Sequence, residues 1–359
     1  MPEEIPRWKQ RFADNREARD WNVTSLLMSL PLLVLGAYYY GAAAALRTTA
    51  VAVLAAVLTE AAASKLILHK RTIDDWNAVV TGIWIACMLP AEVSSPGAGL
   101  AAPVTSTFPM PVYAAVGAVF AVLVVKIPFG GTMHAPFTPA AAGFAFLTVC
   151  FPKTVFAYIP SAEYPPAYSR SLASMLQHGR SVVGGSQLSG ILAGQSVGPM
   201  GTGCILLLAA TLGAMFLVKK RRTAALSSLA FIGTVAAMSF LLPRVTGAGL
   251  AARFASVGME LCSGSLLFAA VFLLPDPAIM PLRWFTRLGY GALAGVLCVM
   301  LRQLGSYEET VCFAILLADA FMPLGYRLQS ELKNQKEFRE RVEAMTAEER
   351  QRKESQSNA

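Results

Sequence analysis

Charged residues are scarce in this chain: they make up 14% of its 359 residues, against about a quarter in a soluble domain. A chain so short of charge cannot coat a large water-facing surface, which excludes a sizeable soluble enzyme domain. Cysteines are few as well. Cys87, Cys150, Cys204, Cys262, Cys298 and Cys312 all lie in apolar runs, and none forms a Cys-x-x-Cys pair. That spacing argues against a classical zinc or iron–sulfur site within the chain, and leaves each thiol as a small buried hydrophobe. The net charge is +8, but no basic patch is interleaved with aromatics, so no nucleic acid is expected as a partner. A cleavable signal peptide is not expected, because the first 21 residues are charged throughout and the first apolar run is too long for an h-region.

What the chain has in abundance is apolar sequence: 55% of its residues are hydrophobic. They fall into about ten runs, near Val23–Tyr40, Ala42–Leu68, Trp76–Met88, Val112–Val125, Pro139–Phe151, Gly198–Val218, Ala224–Leu242, Ser256–Leu274, Leu288–Leu304 and Val311–Leu324. A helix of roughly 20 apolar residues crosses the hydrocarbon core with every backbone polar group bonded internally. The expected fold is therefore an all-α polytopic membrane protein of about ten transmembrane helices, in contact with the lipid bilayer.

Loop charge predicts the orientation. The basic segments His69–Arg71, Lys126, Lys219–Arg222 and Arg283 with Arg287 fall on the same side as both basic tails, whereas the Ser94–Pro111 loop on the other side carries no charge. By the positive-inside rule both termini are cytoplasmic; Arg244 and Arg253, on the outer side, run against it. The expected organisation is a cytoplasmic tail over residues 1–21, a transmembrane domain over 22–327 and a charged cytoplasmic tail over 328–359. The one long loop, 153–197, is then outside. Multi-pass insertion in the cytoplasmic (inner) membrane is the expected location.

Phe129 to Phe146 reads FGGTMHAPFTPAAAGFAF. A Gly130-Gly131 turn between prolines, leading through Thr138 into a small-residue helix, lets backbone come close to another object, and a helix N-terminus presents free N–H groups. The other reading is a tight re-entrant turn packed on its neighbours. Buried ionisable residues in spans are functional hypotheses by default. Glu60 and Lys65 are close enough in sequence to pair; Glu92 and Glu260 fall near the outer boundary, where snorkelling suffices. Arg302 and Asp319 fall toward opposite ends of adjacent spans and are not expected to pair. His134 and His178 are isolated, so no metal site is expected.

The same FGG segment resembles the signature Phe-Gly-Gly-Leu-Gly-x-Asn-x-Phe-Asn-Pro-Ala of the RnfD/NqrB family, through Phe129, Gly130, Gly131, Phe137, Pro139 and Ala140. Ala135 and Thr138 replace the two asparagines. Asn77–Gly82 with Met88-Leu89-Pro90, Ser189–Gly194, Gly291–Gly295, Arg302, Gly305-Ser306-Tyr307 and Phe313–Asp319 are similar to further family segments in the same order. The short region before the first span is most similar to the D subunit of Rnf-type complexes. The alternatives are the B subunit of a Na⁺-pumping NADH:quinone reductase, a cofactor-poor scaffold subunit, and an unrelated secondary transporter, against which no inverted repeat is visible.

The resemblance implies a membrane subunit of an assembly that couples electron transfer between ferredoxin and NAD to Na⁺ or H⁺ translocation, with other subunits of the Rnf-type complex as partners. It implies FMN carried in the outer loop on the hydroxyl of a Ser-Gly-Ala-Thr-like motif. Here Ser171-Leu172-Ala173-Ser174 stands in that place, with Ser171 and Ala173 matching and Ser174 as acceptor. Leu172 replaces a small residue, and Tyr168 stands where the family has Asp. The other reading is a surface helix whose site has decayed. Pro275-Asp276-Pro277 is similar to the family's Thr-Asp-Pro, near which some members hold riboflavin; Asp276 either contacts a flavin or caps a helix end.

Overall fold

The computed structural model describes residues 15–68, 73–91, 108–158, 171–179, 190–194, 197–219, 221–245, 249–281, 283–305 and 307–323. Among them every regular element is helical. Residues Met1–Asp319 form one compact unit, and a second begins at Ala320.

The chain opens with α1 (Asn15–Tyr40) and α2 (Ala42–Ala63), whose last turn widens into a π-helix over Ser64–Leu68. Then follow α3 (Asn77–Met88), α4 (Met110–Phe120, π-helical over Ala121–Lys126) and α5 (Pro139–Cys150). Two short helices come next, α6 (Pro152–Val155) and α7 (Leu172–Gln177). The remaining helices are α8 (Ile205–Leu217), α9 (Ala225–Leu241), α10 (Leu250–Cys262), α11 (Leu266–Phe268, π-helical over Ala269–Leu273), α12 (Trp284–Leu304) and α13 (Val311–Pro323).

Each apolar run of the sequence contains a helix, although the sixth is helical only from Ile205, residues 198–204 being turns and irregular backbone. Ala18–Tyr40, Ala42–Ile67, Met110–Phe129 and Trp284–Leu304 are long and apolar enough to cross a membrane, while α3, α5, α8, α9 and α13 are apolar but shorter. The eighth run departs from expectation. It is not one continuous helix from Ser256 to Leu274: α10 starts at Leu250, and α10 and α11 meet at a 63° bend. The bend falls at Ser263-Gly264-Ser265, where Gly264 has φ +59, a conformation that costs glycine little and other residues much.

The long helices carry apolar side chains outward, among them Leu27, Val34, Leu54 and Leu58, as a lipid-facing surface does. The short helices α3 and α5 are buried almost end to end. Helices approach closely at glycines. A Cβ on Gly82 of α3 would lie 2.8 Å from the Val53 Cα of α2, one on Gly143 of α5 2.6 Å from the Gly117 carbonyl of α4, and one on Gly291 of α12 2.2 Å from the Ser227 carbonyl of α9. Small residues at helix contacts are how membrane bundles gain van der Waals packing where lipid supplies no hydrophobic drive between helices.

Candidate functional site

Two buried polar clusters lie toward opposite ends of α12, around Tyr290 and around Arg302, roughly 18 Å apart along the helix axis.

The first is built where the π-helical ends of α2 and α4 meet the turn before α3. Lys126 Nζ lies 2.7 Å from Glu60 Oε1 and 3.5 Å from Asp75 Oδ2, with no exposed surface on the Lys126 or Glu60 side chain. Glu60 therefore pairs with Lys126 of another helix and not with Lys65, which is exposed on the outside of the π-turn. Asp75 is held from several sides: it accepts from the Thr132 hydroxyl and the Asn77 N–H, and its carbonyl accepts from Asn22 Nδ2. Thr132 follows the Gly130-Gly131 turn, where φ is +99 and +111. That turn is tied down through Thr132. A Cβ on Gly130 would meet nothing closer than 3.9 Å, so the glycine serves backbone conformation there.

Thr138 stands at the N-cap of α5. Its N–H and hydroxyl both donate to Asp319 Oδ2, at 3.0 and 3.2 Å, and Tyr290 OH donates to Asp319 Oδ1 at 2.6 Å. The helix N-terminus that could face an anionic ligand thus faces a carboxylate of α13. Asp276, after α11, accepts the Ala278 N–H at 2.9 Å, and its carbonyl accepts from Met280. It caps a tight turn. Burial pushes its carboxyl up to about 6, opposed by the Ala278 N–H and by Lys126.

The second cluster surrounds the break between α10 and α11. Arg302 donates to the Glu260 and Ser263 carbonyls, to Glu260 Oε2 at 2.6 Å and to Ser263 Oγ at 2.8 Å. Its guanidinium satisfies the carbonyls that the broken helix leaves unpaired. Glu260 does not snorkel: it is 2% exposed and bridges Arg302 and Arg244, whose Nη1 lies 2.9 Å from Oε1. Ser265, within the break, donates to Glu309 Oε2 at 3.0 Å, and Glu309 lies 3.9 Å from Arg302 Nη2. Arg302 and Asp319 do not pair.

Ser174 adjoins this cluster. Its helix, α7, packs Leu172 and Leu176 against Val245 and Met259, which fixes the helix on α10. Ser171 is the N-cap: its hydroxyl accepts the Ser174 N–H at 3.1 Å and donates to Glu308 Oε2 at 2.6 Å. Ala173 is buried. Ser174 is 8% exposed, its carbonyl receives His178 Nδ1 at 2.7 Å, and its hydroxyl makes no hydrogen bond among the described residues. Beyond the C-terminal end of α7 opens a cavity of about 630 Å³, lined by Gln177, His178, Arg244, Arg302, Gln303 and neighbouring backbone. Among the described residues no three His, Cys, Asp or Glu side chains are grouped to hold a metal ion.

Glu92, Tyr168, Ser189, His69–Arg71 and most of the outer loop and both tails lie outside the described residues. Sequence reasoning misses Asp75, Tyr290 and Glu309, and takes Lys126 and Arg244 only as loop charges. Pairings such as Glu60 with Lys126, 66 positions apart, leave no local signal.

These features define a polytopic helical membrane protein with buried charge at both ends of one helix and a broken span beside a capped serine. The profile of the NQR2, RnfD, RnfE family matches residues 11–330, and the chain belongs to that family. It is 28% identical over 305 residues to the D subunit of the ion-translocating oxidoreductase complex of Klebsiella pneumoniae, covering 74% of this chain and 80% of that one. It is 26% identical over 309 residues to the protein of the same description from Salmonella enteritidis, covering 74% and 81%.

Proposed function

We propose that this chain is the D-type membrane subunit of an ion-translocating oxidoreductase complex, working with the other subunits in electron transfer coupled to Na⁺ or H⁺ movement. The support is family membership over most of the chain, together with relatives described as the D subunit of such a complex. The bundle crosses the cytoplasmic membrane about ten times, with the α7 face outside and both termini inside, as the loop charges require.

Within that assembly Ser174 carries FMN through its phosphate. The observation that carries this reading is the Ser174 hydroxyl: nearly buried, without a hydrogen-bond partner among the described residues, on a helix fixed by the Ser171 cap and by packing on α10. The residues present fit the group. Arg302 Nε is buried and has no acceptor among the described residues, and Arg302 and Arg244 line the cavity next to α7. Bound there, the flavin supplies one- and two-electron chemistry; the chain's part is to hold and orient it and to shape its electrostatics. Arg244 and Arg302 bring positive charge to that side, and Leu172 and Leu176 hold α7 in place by packing against Met259.

The test is in-gel flavin fluorescence of the SDS-denatured subunit, co-expressed with a flavin transferase, beside Ser174→Ala. Fluorescence that survives denaturation and is lost in the variant is the expected result. A dark wild-type band sinks the covalent assignment and favours a scaffold subunit, or one that holds riboflavin or FMN without a covalent bond. Asp276 is bound into its own turn, which favours capping over contact with such a second flavin.

A further inference from the structure

We infer that the basic turn between α8 and α9 is a binding site for an anionic phospholipid, whose phosphate is taken by Arg221. This site is separate from Ser174 and from electron transfer, and it needs only that the bundle sits in a bilayer.

Arg221 is 2% exposed. Other cations inside the bundle have counter-ions: Lys126 sits against Glu60, and Arg244 and Arg302 against Glu260. Arg221 has no carboxylate among the described residues. Its Nη2 donates to the Trp21 carbonyl at 2.5 Å and to Ser25 Oγ, and its guanidinium lies 4.3 Å from the centre of the Trp21 ring. All of these partners are neutral. Burial lowers the guanidinium to about 10, and no neighbouring acid opposes that shift. The sequence accounts for the imbalance. No Asp or Glu stands anywhere from Tyr164 to Met259, whereas Lys219, Lys220, Arg221 and Arg222 are consecutive. Lys219 and Arg222 are exposed on either side. Helix α9 starts four residues after Arg221 and no side chain caps it, which brings the positive end of its dipole to the same turn. Charged side chains are buried when they are paired, and the described residues leave this one to be paired from outside. A donor is open to the incoming group. Nε is sealed and has no acceptor, but Nη1, which also makes no hydrogen bond among the described residues, is not sealed off. Arginine donors match phosphate oxygens.

Position selects a lipid. Trp21 precedes Asn22, which donates to the carbonyl of Asp75 beside Lys126. Arg221 therefore stands at the Lys126 end of the bundle, which the loop charges put at the cytoplasmic face. Tryptophan and clustered basic side chains at that level are what meet anionic headgroups. The apolar surface that acyl chains need adjoins the turn. Leu206, Gly213 and Leu217 lie along one exposed stripe of α8, and Leu217, four residues before Arg221, is 85% exposed. Free phosphate shares the oxyanion chemistry but has no use for this stripe.

The experiment uses the purified full-length subunit, delipidated in detergent. It is titrated with phosphatidylglycerol and with phosphatidylcholine, lipid-bound species are followed by native mass spectrometry, and inorganic phosphate is then added as competitor. Phosphatidylglycerol should bind about fivefold or more tightly than phosphatidylcholine, the value of roughly one basic contact to an anionic headgroup. Arg221→Gln should bring the two lipids within about twofold, and Arg221→Lys should keep most of the preference. Arg253→Gln, at the other end of α9 beside Phe240, should leave it unchanged. The wild-type comparison and the competition need no variant, so they decide even where Arg221→Gln does not fold. Equal affinity for the two lipids overturns the proposal, as does a preference that survives in Arg221→Gln. Displacement of phosphatidylglycerol by inorganic phosphate at comparable concentration assigns the turn to free phosphate and overturns the lipid. Lipid binding unchanged in Arg221→Gln, while the assembled complex loses a subunit, assigns it to an acidic segment of a partner and overturns the lipid as well.

Discussion

Lys126 and Glu60, both without exposed side-chain surface, meet at 2.7 Å across the π-helical ends of α4 and α2. Asp75 Oδ2 lies 3.5 Å from the same Lys126 Nζ, so losing the lysine takes from two carboxylates the cation they share in a dry bundle, at about 3–5 kcal/mol, whereas losing Glu60 leaves Lys126 facing Asp75. Lys126→Ala should therefore lower the melting temperature in detergent sharply, and Glu60→Ala by less. Replacing all three, with Lys126→Met, Glu60→Leu and Asp75→Asn, removes the desolvation cost along with the attraction and should return to within about 2 kcal/mol of the parent. A triple variant as unstable as Lys126→Ala would show that the cluster holds the helices in place by more than charge balance.

Gly289 and Gly291 lie on one helix, two positions apart, and should respond in opposite directions. A Cβ at Gly291 would sit 2.2 Å from the Ser227 carbonyl, whereas one at Gly289 meets nothing within 4 Å. Gly291→Ala must push α12 off α9, at about 1–3 kcal/mol for overpacking. Gly289→Ala should be neutral, or gain about 0.5–1 kcal/mol from the lower entropy of the unfolded chain and better helix propensity. Equal melting temperatures for the two variants would contradict the close crossing.

Asp276 links stability to pH. Its carboxyl is pushed up to about 6 by burial, above the value near 3.9 of an unfolded aspartate. The folded state thus binds the proton more tightly, a contribution fully present below about pH 4 and lost as pH rises through 6. Asp276→Asn keeps an oxygen to accept the Ala278 N–H and removes the charge. It should be more stable than the parent at pH 8, by up to about 3 kcal/mol, with a gap that shrinks steadily below pH 6. Melting curves at pH 5 and pH 8 decide this, and a gap independent of pH would exclude Asp276 as its source.

The apolar runs are legible in the sequence because lipid imposes a local rule: every residue of a span must satisfy it, so the signal accumulates along the run. The break in the eighth run obeys no local rule. Ser263-Gly264-Ser265 reads as small residues within a span, and it opens only because Arg302, 39 positions on from Ser263, supplies donors to the freed carbonyls. The Glu60 partner is hidden for the same reason, Lys65 being near in sequence and Lys126 near in space. Ser171 and Ser174 are legible because an N-cap and its third residue are neighbours in sequence. The cavity beyond the C-terminal end of α7 is not, because Arg244 and Arg302 come from separate segments and are brought together by Glu260.

Ser171 should control how readily Ser174 is modified, without being the acceptor. Its hydroxyl holds the Ser174 N–H and is itself held by Glu308, so it fixes the first turn of a helix only six residues long. Loss of such a cap costs about 1 kcal/mol, and a helix that short has little internal cooperativity to absorb the loss. Ser171→Ala should therefore lower the fraction of α7 in the fixed conformation, and with it flavin incorporation, by about fivefold. Ser171→Thr, which keeps a capping hydroxyl, should stay near the parent, and Ser174→Ala should abolish incorporation. In-gel fluorescence normalised to protein gives the incorporation, and the melting temperature of the bundle gives the control. Since α7 contributes only a few side chains to the packing, the melting temperature should shift little in all three variants. Incorporation unchanged in Ser171→Ala would mean that packing on α10 alone presents Ser174, and that the cap has no part in it.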